Sequence, residues 1–433
     1  MRRFALLMPC LVCLVSACQE ETPDSKPDAP ATKVDDNVTA DPVASIPSQE
    51  NPPPELLSRE QIHEGWVSLF DGQTLFGWKA NNDVNWRVEE GGIVADTGEP
   101  GLLLTTVPFA NYELRCDFHL EKEGNSGIFL RTVADPQDPS KDCYELNMCD
   151  SHEAFPTGSL VARQKVEVSI EGDGAWHTFD VSVNGPKVVV KLDGQVVIEF
   201  EDTTANPLTN GFIGLQKNAG RVAFRNVFLK PLGMLAMLDD EQGEQWSLIG
   251  GSKCLVEVSK GTVRLTDGPG YLESYDTFSD FVFQAEARTN AKNINSGFFF
   301  RAMVGDEDKP ANGYELQIHN TFANGDRTQP DDYGSGFGTG AIFRRNKVRW
   351  VKPNDKEWFA ITLVAHGPRF AVWVDGYQVT DIEDDRKPNK NPREGLRLKP
   401  GHLSLQAHDD KTDVSFRGLR IGKYPTDSEN SPD

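Results

Sequence analysis

Two stretches of this sequence set carboxyl, amide and imidazole groups at every second residue. Glu315, Gln317 and His319 alternate with Tyr314, Leu316 and Ile318, while His402, Ser404, Gln406 and His408 alternate with Leu403, Leu405 and Ala407. Successive side chains of an extended strand point to opposite faces, so each stretch would send its polar set one way and its apolar set into a core. If both polar sets line one concave sheet, they form a groove suited to sugar hydroxyls, with a carboxyl and an imidazole for acid–base work. The plain alternative is a solvated surface. Arg301 ends the strand that begins at Asn295.

An earlier stretch carries a related set. Glu145 and Asn147 share a face with Cys143 and Cys149, while Tyr144, Leu146 and Met148 look inward; His152 and Arg163 follow, and Arg131 ends the strand that begins at Asn125. Gln216 matches Gln406, but the position of His408 falls near Asn218. A histidine base would be missing there, so this set must use His152 or bind without turnover. The candidate sugar contacts are Asn125, Asn147, Arg163 and Gln216 in the first set and Asn295, Gln317 and Gln406 in the second.

The two sets belong to an internal repeat. Asn125–Arg131 (NSGIFLR) recurs as Asn295–Arg301 (NSGFFFR), and Tyr144–Asn147 as Tyr314–Gln317. Thr157-Gly158-Ser159, Trp176, Asp193-Gly194, Leu215-Gln216 and Phe224-Arg225 recur in order as Thr339-Gly340-Ala341, Trp358, Asp375-Gly376, Leu405-Gln406 and Phe416-Arg417. Matches in constant order with slowly widening spacing predict two homologous domains, near 61–232 and 233–424, the second carrying loop insertions. Alternation in 112–119 and hairpins turned by Asp193-Gly194 and Asp375-Gly376 predict β structure throughout. No 12-residue stretch is periodic as a helix. The expected fold is all-β, two tandem jelly-roll sandwiches of concanavalin type.

Composition narrows the function classes. The 433 residues carry 66 acidic and 44 basic side chains, a net charge of -22, which disfavours a nucleic-acid partner. Gly334–Gly340 is glycine-rich but lacks the lysine and strand-to-helix setting of a phosphate cradle, and reads as a loop beside the groove. No Gly-x-Ser-x-Gly or His-Glu-x-x-His occurs. Asp331-Asp332 and Asp409-Asp410 could ligate a divalent cation such as calcium, though charged turns explain them as well; no cofactor is otherwise indicated.

Arg2-Arg3, an apolar run from Phe4 to Val15 and Val15-Ser16-Ala17-Cys18 read as an export signal (1–18) ending in a lipoprotein cysteine. Cys18 is then the lipidation site, and the Pro- and acid-rich segment 19–60 a solvated spacer tethering the protein to the cell envelope. That lipid would be its sole membrane contact. Residues 425–433 read as a disordered tail. Cys116, Cys143, Cys149 and Cys254 allow three disulfide pairings, and sequence does not choose among them. It is equally silent on oligomeric state.

Leu69–Trp78 (LFDGQTLFGW) resembles the opening of the domain family of unknown function 1080, described as 3-keto-disaccharide hydrolases. The NSGxFxR strand, the YELN and YELQ strands, the TGS and TGA turns, Trp176 and Phe224–Val227 follow in that family's order. The second copy has Leu238-Asp239-Asp240 and Trp246 in place of a clean opening. The resemblance implies a carbohydrate substrate with a ketone at C3. Such a ketone acidifies the C2 proton; its removal expels the C1 oxygen, and water adds to the enone. The resemblance therefore calls for a base, a proton donor and positive charge or a metal at the enolate. Glu315, His319 and His408 would supply acid and base with Arg301 at the oxyanion, and Glu145, His152 and Arg131 would correspond in the first copy. A lectin-like module that gains avidity by binding twice is the alternative.

Overall fold

The computed structural model describes residues 47–49, 51–167, 174–238, 245–304, 312–331 and 336–425. Cys18, the signal and most of the spacer lie outside these residues, as do Asp239, Asp240, Asp332 and the 426–433 tail. The regular structure of the described residues is strand, apart from the helix Arg59–Glu64 and a single 3-10 turn at Ala323–Gly325. The predicted pair of jelly-roll sandwiches is present.

In the first half an eight-stranded antiparallel sheet runs Gln195–Glu201, Lys187–Leu192, Trp176–Asn184, Tyr112–Leu120, Val222–Pro231, Gly92–Ala95 and Arg87–Glu89, with Val67–Ser68 paired to Val222–Pro231. A five-stranded sheet runs Trp78–Ala80, Gly101–Thr105, Phe212–Ala219, Asn125–Thr132 and Tyr144–Met148. Phe118, Phe179 and Phe224 from the larger sheet meet Ile128, Leu146 and Leu215 from the smaller in one core. The second half repeats this order. Its five-stranded sheet is Trp246–Leu248, Gly270–Phe278, Gly401–Ala407, Ser296–Ala302 and Tyr314–Ile318. Leu316, Leu403, Leu405 and Ala407 enter its core with Phe283 and Phe416. The alternation therefore assigns the inward set correctly in both copies. Both Asp-Gly hairpins turn through left-handed residues, Asp193 and Gly194 at φ 50° and 80°, Asp375 and Gly376 at 46° and 75°.

The end of the expected spacer is docked on the protein rather than free. Ser58 and Gln61 form a reciprocal capping box on the helix Arg59–Glu64, and Gly65 closes it at φ 99°. Leu57 and Ile62 pack with Phe228, and Glu55 pairs with Lys352 at 2.6 Å, so 51–60 is fastened across both halves.

The halves are joined through the second half's eight-stranded sheet. Val282, Val364, Ala371 and Trp373 on its outer face are buried in the first half's core cluster. Trp373 Nε1 donates to Ser68 O at 2.8 Å, and Arg349 lies between the Phe76 and Tyr377 rings while reaching Asp71 at 2.5 Å. The outer face of the first half's large sheet is instead laced with ion pairs such as Arg115–Asp180 at 2.7 Å and Lys230–Glu113 at 2.6 Å.

Candidate functional site

Each five-stranded sheet keeps one face toward the core, and the outward faces carry the candidate residues. Arg131 and Arg301 do not contribute to them. Both have left-handed backbone (φ 48° and 47°), which breaks alternation at the strand end and turns the side chain under the sheet. Arg301 Nε donates to Ser279 O, Nη1 to Gly367 O and Arg397 O, and Nη2 to Asp280. Arg131 repeats the pattern on Ala110 O, Gly185 O, Leu208 O and Asn111. With about 1% or less of either residue exposed, these guanidinium groups staple main-chain carbonyls and offer nothing to an oxyanion. Tyr144 and Tyr314 are the inward partners of this frame, donating to Asp202 and Asp384 at 2.8 and 2.6 Å.

On the second half's outward face, register sets Glu273, Ser404, Phe299 and Glu315 in one row across four strands. Tyr271 stands opposite Gln406, and Gly297 opposite Gln317, one step along. Glu315 is 5% exposed and meets Arg393 at 2.9 Å. Burial pushes its carboxyl pKa up, while Arg393, His408 and Arg344 pull against that shift, so all three side chains lie within electrostatic reach of the carboxyl. His408 Nδ1 donates to Asp409 at 2.9 Å, and its half-exposed ring leaves Nε2 without a partner among the described residues. Gln406 Nε2 approaches Tyr271 Oη at 3.4 Å, and its buried Oε1 has no partner among the described residues.

Arg393 and Arg344 are the residues that sequence reasoning missed. Arg393 sits on the connection from Asp384 to Gly401, eight residues longer than the matching Asp202-to-Gly211 connection. Arg386 holds this loop by donating to Pro392 O, Arg393 O and Gly395 O, and Arg397 by donating to Lys390 O and Pro400 O. The widened repeat spacing was the available signal. Arg344 occupies a left-handed turn (φ 61°) whose counterpart is Ala162 (φ 58°).

On the first half's outward face, Leu104, Gly214, Phe129 and Glu145 form the matching row. Leu102, Gln216, Gly127 and Asn147 form the next. Leu102, Leu104, Phe129 and Cys143 make a small apolar cluster. Glu145 is 9% exposed with no ion-pair partner among the described residues. Burial raises its pKa to about 7, against a smaller pull from Gln216.

The remaining candidates stand elsewhere or are engaged. His319 falls one residue past its strand, is fully buried, and bonds Ile294 O, Thr321 and Asp331. His152 accepts from Phe155 N within its own turn and plays no part in the Glu145 shift. Arg163 lies 4.4 Å over the Tyr144 ring and bonds Asp202, Ser140 O and Cys143 O, so it belongs to the frame. Asn147 donates to Phe155 O, and Gln317 to Asn295 Oδ1, which occupies both amides and Asn295. Asn125 is half-buried at the strand start opposite Ala219. The described part of the glycine-rich stretch is packed rather than loose, with Thr339 fully buried and bonded to Asn320. Cys116, Cys143, Cys149 and Cys254 are free and buried. Among the described residues no three His, Cys, Asp or Glu side chains converge as a metal site, and Asp331 and Asp409 serve His319 and His408 instead.

The family model for the 3-keto-alpha-glucoside-1,2-lyase-like domain matches residues 65–230 and again 233–422. Over 229 residues the chain is 24% identical to a 3-keto-disaccharide hydrolase of Bacteroides thetaiotaomicron, the match spanning 39% of this chain and 79% of that protein. Among solved structures, a provisionally named glycosyl hydrolase of Parabacteroides distasonis is similar at 24% identity and TM-score 0.36, covering 41% of this chain and 98% of that one. A carbohydrate-binding module of Bacillus subtilis is similar at 18% identity and TM-score 0.30, over 36% and 95%. With both halves matched, the chain belongs to the 3-keto-alpha-glucoside-1,2-lyase-like domain family.

Proposed function

We propose that this is a carbohydrate-active protein whose second half cleaves 3-keto glycosides by elimination and hydration. The observation that carries the reading is the grouping of Glu315, Arg393, Arg344 and the His408–Asp409 pair, from separate strands and loops, on one outward face. Asp409 fixes the His408 ring through Nδ1, leaving Nε2 to take the C2 proton. The C2–H electrons become the enolate, whose O3 charge Arg393 and Arg344 stabilise. Collapse of the enolate forms C1=C2 and breaks the C1–O bond, and the departing oxygen takes a proton from Glu315, whose burial favours the neutral acid. In the return step the Glu315 carboxylate accepts a proton from water as its oxygen adds to C1, and His408 gives its proton back to C2. The test is release of reducing sugar from a 3-keto-disaccharide, with the unoxidised disaccharide as control. Arg393→Gln, which removes one charge-stabilising group, is expected to lower turnover about a hundredfold. Unchanged turnover in both His408→Gln and Glu315→Gln would reject the assignment, and binding of either sugar without cleavage would leave a lectin.

A further inference from the structure

We propose that the outward face of the first half is a second sugar site, without chemistry of its own, that takes a neutral ring through two neighbouring hydroxyls. A three-residue slot recurs in the two halves: Glu145, Gly127 and Gln216 in the first, Glu315, Gly297 and Gln406 in the second. In both, the glutamine Oε1 is buried and has no partner among the described residues. An unpaired buried acceptor is unfavourable, and the same vacancy in both copies points to a hydroxyl donor supplied from outside. The glycine makes the room. A Cβ on Gly127 would lie 3.4 Å from Gln216 Oε1 and 3.6 Å from Glu145 Cγ, filling the space between them.

What surrounds the slot sets the ligand class. Ala162 replaces Arg344, the short Asp202-to-Gly211 connection brings no counterpart of Arg393, and Asn218 falls near the position of His408. Leu102 and Leu104 replace Tyr271 and Glu273 across the sheet. Among the described residues no cation acts on Glu145, Lys79 standing at the far end of its row beyond Leu104, so a uronate, phosphate or sulfate would meet that carboxyl unpaired, which leaves an uncharged ring. Glu145, with its pKa near 7, can donate to one hydroxyl oxygen while Gln216 accepts from the next. Leu102, Leu104 and Phe129 pack as an apolar floor beside the slot, each 6% exposed or less. The proposal shares the slot with the reading of the second half but not its chemistry.

The experiment titrates the full chain with methyl α-glucoside, which has no ketone and is not cleaved, and counts bound molecules per chain by NMR. Gln216→Leu and Gly127→Ala are each expected to bind one molecule fewer than the wild type, the lost site weakening about tenfold or more. Glucuronate should not displace the methyl glucoside from that site. Wild-type stoichiometry in both variants overturns the proposal, as does equal binding of glucuronate there. Turnover of a 3-keto-disaccharide is read separately on the wild type; its absence removes the catalytic reading and leaves the count of sites to decide this one.

Discussion

Arg131 and Arg301 hold the same place in the two halves and spend their donors on the same kind of carbonyls. Ala162 and Arg344 also hold the same place, at nearly the same left-handed backbone angles, yet only one of them carries charge. The frame of the sandwich is thus duplicated down to its buried staples, while the outward face is free to differ. Arg393, Arg344 and His408 act on Glu315, and among the described residues no cation acts on Glu145. The difference shows that a carboxyl over a glycine beside a glutamine is common ground, and that the charge around it is added by what reaches it from neighbouring turns.

The largest effect tests the shared frame. Arg131→Ala and Arg301→Ala each leave several buried carbonyls unpaired and open a cavity, so each should destabilise its own half by about 4 kcal/mol or more. Separate unfolding of the two halves would appear as distinct denaturant transitions; a loss under about 1 kcal/mol in either would show that the staples are not equivalent.

A smaller effect isolates the Glu145 face. Glu145 is raised from 4.5 to about 7, so between those pH values the folded chain holds a proton that the unfolded chain has released. This contribution is complete below pH 4.5 and is lost as pH rises through about 7. The shift corresponds to about 3 kcal/mol. Glu145→Gln should therefore equal the wild type near pH 5 and exceed it by about 2–3 kcal/mol at pH 8, measured by denaturant titration at both pH values. A parallel loss of stability with pH in the variant would place the proton elsewhere.

The smallest effect concerns the outer faces of the eight-stranded sheets. Arg115 and Asp180 pair in solvent on the first, so Arg115→Ala should change stability by no more than about 0.5 kcal/mol in thermal melts. A loss above about 2 kcal/mol would mean that this face is covered, as its counterpart around Trp373 is.

Much of the frame was readable because strand alternation is a strict rule. Tyr144, Leu146, Met148, Leu403 and Leu405 enter the cores where period two sends them. The rule fails where the backbone leaves the strand. Left-handed φ at Arg131 and Arg301 redirects side chains that alternation placed outward, and His319 lies beyond the last paired residue, Ile318. His408, also one residue past its strand, comes within electrostatic reach of Glu315, and the arginines around them come from irregular segments. The path of 385–400 depends on arginine-to-carbonyl contacts that no periodicity encodes. The Ser58–Gln61 capping box was visible as Ser-x-x-Gln, yet six residues are too few for a helical pattern to register.

Trp373, Val282 and Val364 finish the interior of a sandwich to which they do not belong. Moving the C-terminal copy by recombination into another protein would consequently expose a greasy wall on it and a matching one around Phe109 and Phe228 on the copy left behind. After duplication the two repeats became a single part, each closing the other.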